Sequence, residues 1–150
     1  MSKDTSPARC RVAASPTDRA ACMAIRFEVF VDEQRVPPEL EPDEYDDSAL
    51  HLLAYDPDTE VAVGTARLVD KGNGLAKIGR VAVRRAWRGS GVGAALMRFA
   101  LAESSARGFT MAALDAQTYV IPFYERLGFA AEGPVFDDAG IPHRHMRRAL

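Results

Sequence analysis

Cysteine is scarce in this chain, with only Cys10 and Cys22 among 150 residues. Two cysteines are too few for a disulfide framework, and their apolar surroundings suggest buried thiols in a reducing compartment. Excess charge of one sign is also missing: 19 Lys and Arg against 21 Asp and Glu give a net charge of −2, without the basic footprint of a nucleic-acid binder. No apolar run reaches the roughly 18 residues that a membrane span requires. The opening "MSKDTSPARC" lacks the apolar middle of a signal peptide. These absences point to a cytoplasmic protein that engages neither membrane nor nucleic acid, and the length suits one domain covering 1–150.

Proline and glycine divide what remains into short elements. "RCRVAA" alternates as a first strand. Ser15, Pro16 and Asp18 then make a helix start, and the apolar spacing of Ala20, Met23, Phe27 and Phe30 predicts a helix to about Asp32. "EQRVPPELEPDEYDDS" follows as a long acidic loop or a short broken helix, because its prolines interrupt both helix and ladder. "ALHLLAYD", "EVAVGTARLVD" and "LAKIGRVAV" read as three antiparallel strands joined by turn-forming Pro57-Asp58-Thr59 and Lys71-Gly72-Asn73-Gly74. From Gly91 the period changes to 3.6, predicting a central helix that stops at Arg107-Gly108. "FTMAALDA" is a buried strand, "IPFYERL" a short helix, and residues 129–150 one or two further strands.

The stretch "RAWRGSGVGAALM" places glycines at 89, 91 and 93 at the head of that central helix. A helix N-terminus has unpartnered N–H groups and about half a positive charge, so it attracts an anion, and glycine lets a phosphate come close. Arg88 adds a fork that matches a phosphate edge. A nucleoside triphosphate loop is excluded in its usual form because no Gly-Lys-Ser/Thr closes the stretch. A dinucleotide fingerprint is nominally met by Gly89, Gly91 and Ala94, with Asp115 downstream. Its context is wrong: five residues separate Val83 from Gly89, and the strands before it look like hairpins rather than parallel crossovers.

Arg-x-x-Gly-x-Gly after an apolar strand, in "VAVRRAWRGSGVG", resembles the pyrophosphate arm of the GNAT superfamily of N-acetyltransferases. "FYERLGF" at 123–129 is similar to that superfamily's last helix and turn. The segments "IRFEVFVDEQ", "EPDEYD", "GTARL", "GRVAV", "DAQ" and "GIPHRHM" are similar to its ElaA-type branch, over roughly residues 20–147. The resemblance implies an α/β (α+β) fold: a mixed, mainly antiparallel sheet of about six or seven strands flanked by helices and splayed between strands 4 and 5. It implies an acetyl-CoA co-substrate, with the pyrophosphate on Gly89, Ser90, Gly91, Val92 and Gly93 beside Arg88, and the pantetheine along Val81, Ala82 and Val83.

Direct transfer of the acetyl group to a primary amine of a small molecule or peptide is the activity so implied. No cysteine or serine is placed to serve as a nucleophile. Tyr124 matches the tyrosine that protonates the departing thiolate in many of these enzymes, and Gln117 stands where the superfamily often has an asparagine that bonds the cofactor. Phe123 is read as core. The glutamate common on the fourth strand is missing from "AKIGRVAV", so a water relay or Glu33, His51, Asp115 or His143 must act as base. Arg67 and Arg80 either pair with the acidic loop or orient a substrate. That loop would suit a cationic acceptor. His143 and His145 share a strand face without a third ligand, so no metal is expected. A homodimer is compatible with the resemblance, and the missing strand carboxylate leaves open a non-catalytic acyl-CoA binding module.

Overall fold

The computed structural model describes residues 8–150, so the part of the expected 1–150 domain at residues 1–7 lies outside the described residues. Strand β1 (Arg9–Val12) leads into helix α1 (Pro16–Arg26). The Ser15 side chain accepts the Asp18 amide at 3.0 Å, and Pro16 opens the helix, as the sequence predicts. Asp18 also takes a two-pronged hydrogen bond from Arg11 at 2.9 and 3.0 Å, which ties the helix start to β1.

The helix does not continue in α form to Asp32. It ends at Arg26, and Phe27–Glu33 is π-helical. A π turn adds a residue per hydrogen-bonded ring and re-aims the later side chains. The buried face is Cys22, Ile25, Arg26 and Val29, whereas on the expected apolar stripe Ala20 is exposed and Met23, Phe27 and Phe30 are only half-buried. Glu33 and Gln34 at its end face the cavity described below. The acidic loop contains one short 3-10 turn, Pro38–Leu40.

Strands β2 (Leu50–Tyr55), β3 (Ala62–Asp70) and β4 (Leu75–Val83) form the expected antiparallel meander. Helix α2 (Val92–Ala106), strand β5 (Met111–Gln117), helix α3 (Ile121–Arg126) and strands β6 (Ala130–Asp138) and β7 (Ile141–Ala149) complete the chain. The seven strands lie in the order β1-β2-β3-β4-β5-β7-β6, and all neighbours are antiparallel except β4 and β5.

Alternation along the strands distributes apolar side chains to both faces. Leu52 joins Leu96, Met97, Ala100, Leu114 and Met146 under α2, whereas adjacent Leu53 joins Cys22, Ile25, Val29 and Ala82 under α1. The two helices therefore cover opposite faces of one sheet. No described helix is long and apolar enough to cross a membrane.

Candidate active site

Two departures from regular pairing make the site. Strands β4 and β5 pair only at Leu75↔Met111, Ala76↔Ala112 and Lys77↔Ala113, then separate. From Ile78 to Val83, β4 has no partner on the β5 side among the described residues, although it stays paired with β3. The second departure is a bulge in β4. Thr65 faces Ala82 and Arg67 faces Gly79, so Arg80 and Val81 both stand opposite Ala66. Such a bulge bends its strand and raises the local twist, here next to the point where β4 leaves β5. Arg80, with φ 52°, holds the left-handed conformation.

The cleft so opened is part of a cavity of about 1040 Å³. One end lies at the head of α2. Gly89 and Gly91 take φ of 79° and 89°, a region that disfavours any side chain, and Gly91 caps the helix without a side-chain hydrogen bond. Among the described residues no protein acceptor takes the amides from Gly89 through Gly93. A β-carbon built on Gly89 would meet nothing within 4 Å. This end offers bare donors, room and a positive dipole, which fits a diphosphate. Val81, Ala82 and Val83 form the adjoining wall.

Arg88 is turned away from the loop. Its Nε donates to the Val83 carbonyl at 2.9 Å, and its terminal nitrogen lies 2.7 Å from Glu33 Oε1. The Ser90 hydroxyl donates to the Trp87 carbonyl. Phe123 packs on the core as expected, and it also reaches the cavity, its ring 3.6 Å from where a β-carbon on Gly93 would sit.

Tyr124 is buried against Phe123 and Phe129, edge-on to both rings, and lines the cavity. Its hydroxyl has no hydrogen-bond partner among the described residues. Burial, with a smaller contribution from Tyr119, pushes its pKa up to about 12, so the phenol keeps its proton.

The four base candidates separate clearly. His51 lies outside the cavity lining, buried on β2, with Nε2 donating to the Asp46 carbonyl at 2.8 Å. Glu33 lines the cavity in the ion pair with Arg88. Asp115 lies 2.8 Å from Lys77 and 2.9 Å from His145; burial pushes its pKa up, but those two partners outweigh it and hold the carboxyl below the usual range. His143 lines the cavity, is nine-tenths buried, and stacks on Phe136 at 5.9 Å. Its Nδ1 is 2.8 Å from the Ile141 carbonyl. A carbonyl only accepts, so Nδ1 carries the proton and Nε2 of the neutral ring keeps its lone pair.

Gln117 and Gln34 exchange side-chain amide bonds, the shorter 2.8 Å, across the cavity from β5 to the end of the π-helical segment. Three carboxylates of the acidic loop are paired, while Glu39, Glu44 and Asp47 are exposed and make no ion pair among the described residues. Glu41 takes Nε of both Arg26 and Arg80 at 2.8 Å, Asp43 takes Arg67 and Arg80, and Asp46 takes Arg26 and Arg67. Three carboxylates thus match three arginines in a network that contains two nearly inaccessible side chains, Arg26 and Glu41. The loop's charge run was visible in the sequence, but its partners lie 15 to 39 residues away and no short-range pattern could pair them. Among the described residues no group of three or more His, Cys, Asp or Glu is placed to hold a metal.

A sheet opened after three parallel pairs, with a glycine-led helix N-terminus at the mouth of the opening, is the architecture of the GNAT acetyltransferases. The chain belongs to that family: the model of the acetyltransferase (GNAT) domain matches residues 12–150. It is 39% identical over 128 residues to the "Uncharacterized N-acetyltransferase YjcF" of Bacillus subtilis, covering 83% of this chain and 87% of that one. Among solved structures it resembles an acyl-CoA N-acyltransferase from Pseudomonas aeruginosa, with TM-score 0.83, 34% identity and coverage of 97% and 100% of the two chains. It is similar also to Escherichia coli ElaA, with TM-score 0.83, 29% identity and coverage of 94% and 99%. The ElaA-type likeness read from the sequence and the expected splayed sheet are both borne out.

Proposed function

We propose that the chain is an acetyl-CoA-dependent N-acetyltransferase that moves the acetyl group directly to a primary amine of a small molecule or peptide. The observation that carries this reading is the unpartnered edge of β4, Ile78–Val83, running toward the free amides of Gly89–Gly93. Pantetheine has two amides and bonds such an edge as a substitute strand through Val81 and Val83. The diphosphate then meets the helix dipole.

The acceptor must attack as a neutral amine. With a pKa near 10 only about one molecule in a thousand is neutral at pH 7, a deficit of roughly 4 kcal/mol. As the C–N bond forms the nitrogen becomes acidic, and His143 Nε2 takes its proton, directly or through water. The C–S bond then breaks, and the thiolate sulfur meets the Tyr124 hydroxyl.

A phenol of pKa about 12 is a weaker acid than an ordinary thiol of about 8.5, so complete transfer to the sulfur would run uphill by about 5 kcal/mol. Tyr124 therefore acts mainly as a hydrogen-bond donor to the developing charge, and water completes the protonation. Glu33 and Asp115 are each held in an ion pair with a cation, whereas His143 has Nε2 free to accept. Gln117 has the Gln34 amide as partner and shapes the cofactor end. The loop carboxylates that line the cavity, Glu41 and Asp43, are matched by arginines and give no added reason for a cationic acceptor.

The test is thiol release from acetyl-CoA with a panel of amines and peptides, alongside calorimetric titration with coenzyme A. Acetyl transfer to one class of amine is expected. Tight coenzyme binding without release on any amine would leave the non-catalytic binding module; no heat with the coenzyme would remove both.

A further inference from the structure

We infer that Glu41 and Arg80 form a positioning pair for acyl transfer: the acidic loop grips the bulge of β4 and fixes the wall against which the thioester lies. The inference rests on the acyltransfer reading above.

The bulge residue itself supplies the first ground. Arg80 is the extra residue between the Thr65↔Ala82 and Arg67↔Gly79 pairs, and it holds φ 52°, a conformation that is strained for a side-chain-bearing residue. That conformation persists only where the surroundings enforce it. The neighbouring Gly79 would adopt it without cost, yet the bulge falls on the arginine, the residue with a long donor side chain.

The enforcing contacts are all on one loop. Arg80 Nε donates to Glu41 Oε2 at 2.8 Å, and its terminal nitrogen to the Glu41 carbonyl at 3.0 Å and to Asp43 at 3.2 Å. Glu41 is only 3% exposed, and Arg26 holds the same Oε2 at 2.8 Å from α1. The guanidinium therefore meets a carboxylate that α1 has already fixed, and its backbone is fixed in turn.

The consequence falls on the next three residues. Val81, Ala82 and Val83 follow the bulge directly and line the cavity on the edge that β5 leaves unpaired. Loosening the Arg80 side chain lets β4 relax toward regular pairing with β3, which rotates these main-chain groups about the strand. The diphosphate end, set by α2, would not move. Positioning of the acyl group is then lost while most of the coenzyme affinity remains.

The experiment compares Arg80→Met, Arg80→Lys and Asp46→Asn. Asp46 pairs with Arg26 and Arg67 and does not touch Arg80. It therefore reports loss of the network without loss of the clamp. Thiol release is measured with acetyl-CoA and the amine that gives the fastest wild-type rate, coenzyme A binding by calorimetry, and Tm by thermal unfolding. Arg80→Met should lower kcat by about 100-fold while the Kd for coenzyme A changes by no more than about threefold, and Arg80→Lys should recover about tenfold of that loss. Asp46→Asn should lower Tm with kcat within about threefold of wild type.

An Arg80→Met enzyme with unchanged kcat would overturn the inference. So would an Asp46→Asn enzyme that loses as much kcat as Arg80→Met at equal loss of Tm. Those outcomes leave an active wild type and the acyltransfer reading intact. A wild-type chain that binds coenzyme A and acetylates no amine sinks that reading and this inference together.

Discussion

Replacing Arg26 by methionine should be among the most costly single changes to stability in this chain. The side chain is 1% exposed and makes four hydrogen bonds, to Glu41 Oε2, the Glu41 carbonyl and both oxygens of Asp46. Methionine fills much of the volume but supplies no donor. Three carboxylates would then face two guanidinium groups, which leaves one buried negative charge uncompensated. Removing one partner of a buried pair costs about 3–5 kcal/mol, and for a chain of this size each kcal/mol lowers Tm by about 2–4 °C, so a fall of about 6–20 °C is expected. Urea unfolding followed by circular dichroism measures it. The Arg26→Met/Glu41→Gln double variant should be at least about 1 kcal/mol more stable than the sum of the single losses, because it restores charge balance. A single-variant loss below about 1 kcal/mol, or strict additivity in the double, would refute the account of a balanced network.

Acid titration checks the same network from the other side. Burial pushes the Asp46 carboxyl up, but hydrogen bonds and charge from Arg26, the Asp43 amide and Arg67 hold it well below the usual carboxylate range; Asp43 is lowered in the same way by Arg67, the Tyr45 amide and Arg80. Carboxylates with depressed folded-state pKa stabilise the fold above their unfolded pKa of about 3.9, and that contribution is lost as pH falls through the lower folded values. Wild type should therefore lose stability steeply below about pH 4, and Arg26→Met should show a shallower acid slope.

Three further outcomes concern the site. Tyr124→Phe should lower kcat by about 10–100-fold with the coenzyme affinity intact, and the wild-type rate should show no alkaline fall near pH 10, because the phenol holds its proton to about 12; a fall at pH 10 that vanishes in the variant would contradict the buried phenol. Gly91→Val should abolish heat on titration with coenzyme A, since φ 89° and the bare amides both require the missing side chain; retained binding would remove the diphosphate from the head of α2. His143→Gln should lower kcat by about 100-fold with the coenzyme affinity retained, and an unchanged kcat would assign the base elsewhere.

The strands, the turns between them and the central helix were legible because each is announced locally, by alternation, by Gly-Asn-Gly chemistry or by a change of period. Glycines 89 and 91 take left-handed conformations at the head of α2, which is where their spacing had drawn attention. The π-helical segment was not legible. Phe27, Phe30 and Val31 keep the spacing of an α-helix, and the extra residue per turn answers to the tertiary contacts of Glu33 and Gln34. The β4 bulge was hidden because Gly79 is the residue a left-handed position would select, whereas the observed choice, Arg80, depends on a carboxylate 39 residues earlier. The preference among base candidates rests on one proton position in His143, which a sequence does not carry.

A strand edge is ordinarily a hazard, because any passing chain can add to it and begin an aggregate. Here the open edge lies between β4 and β5, inside the sheet rather than at its rim, and the Gln34–Gln117 pair lines the same cavity. A chain that adds to it must enter between two strands that each have a partner on the other side, so the outer rims left to a passing sheet are β1 and β6.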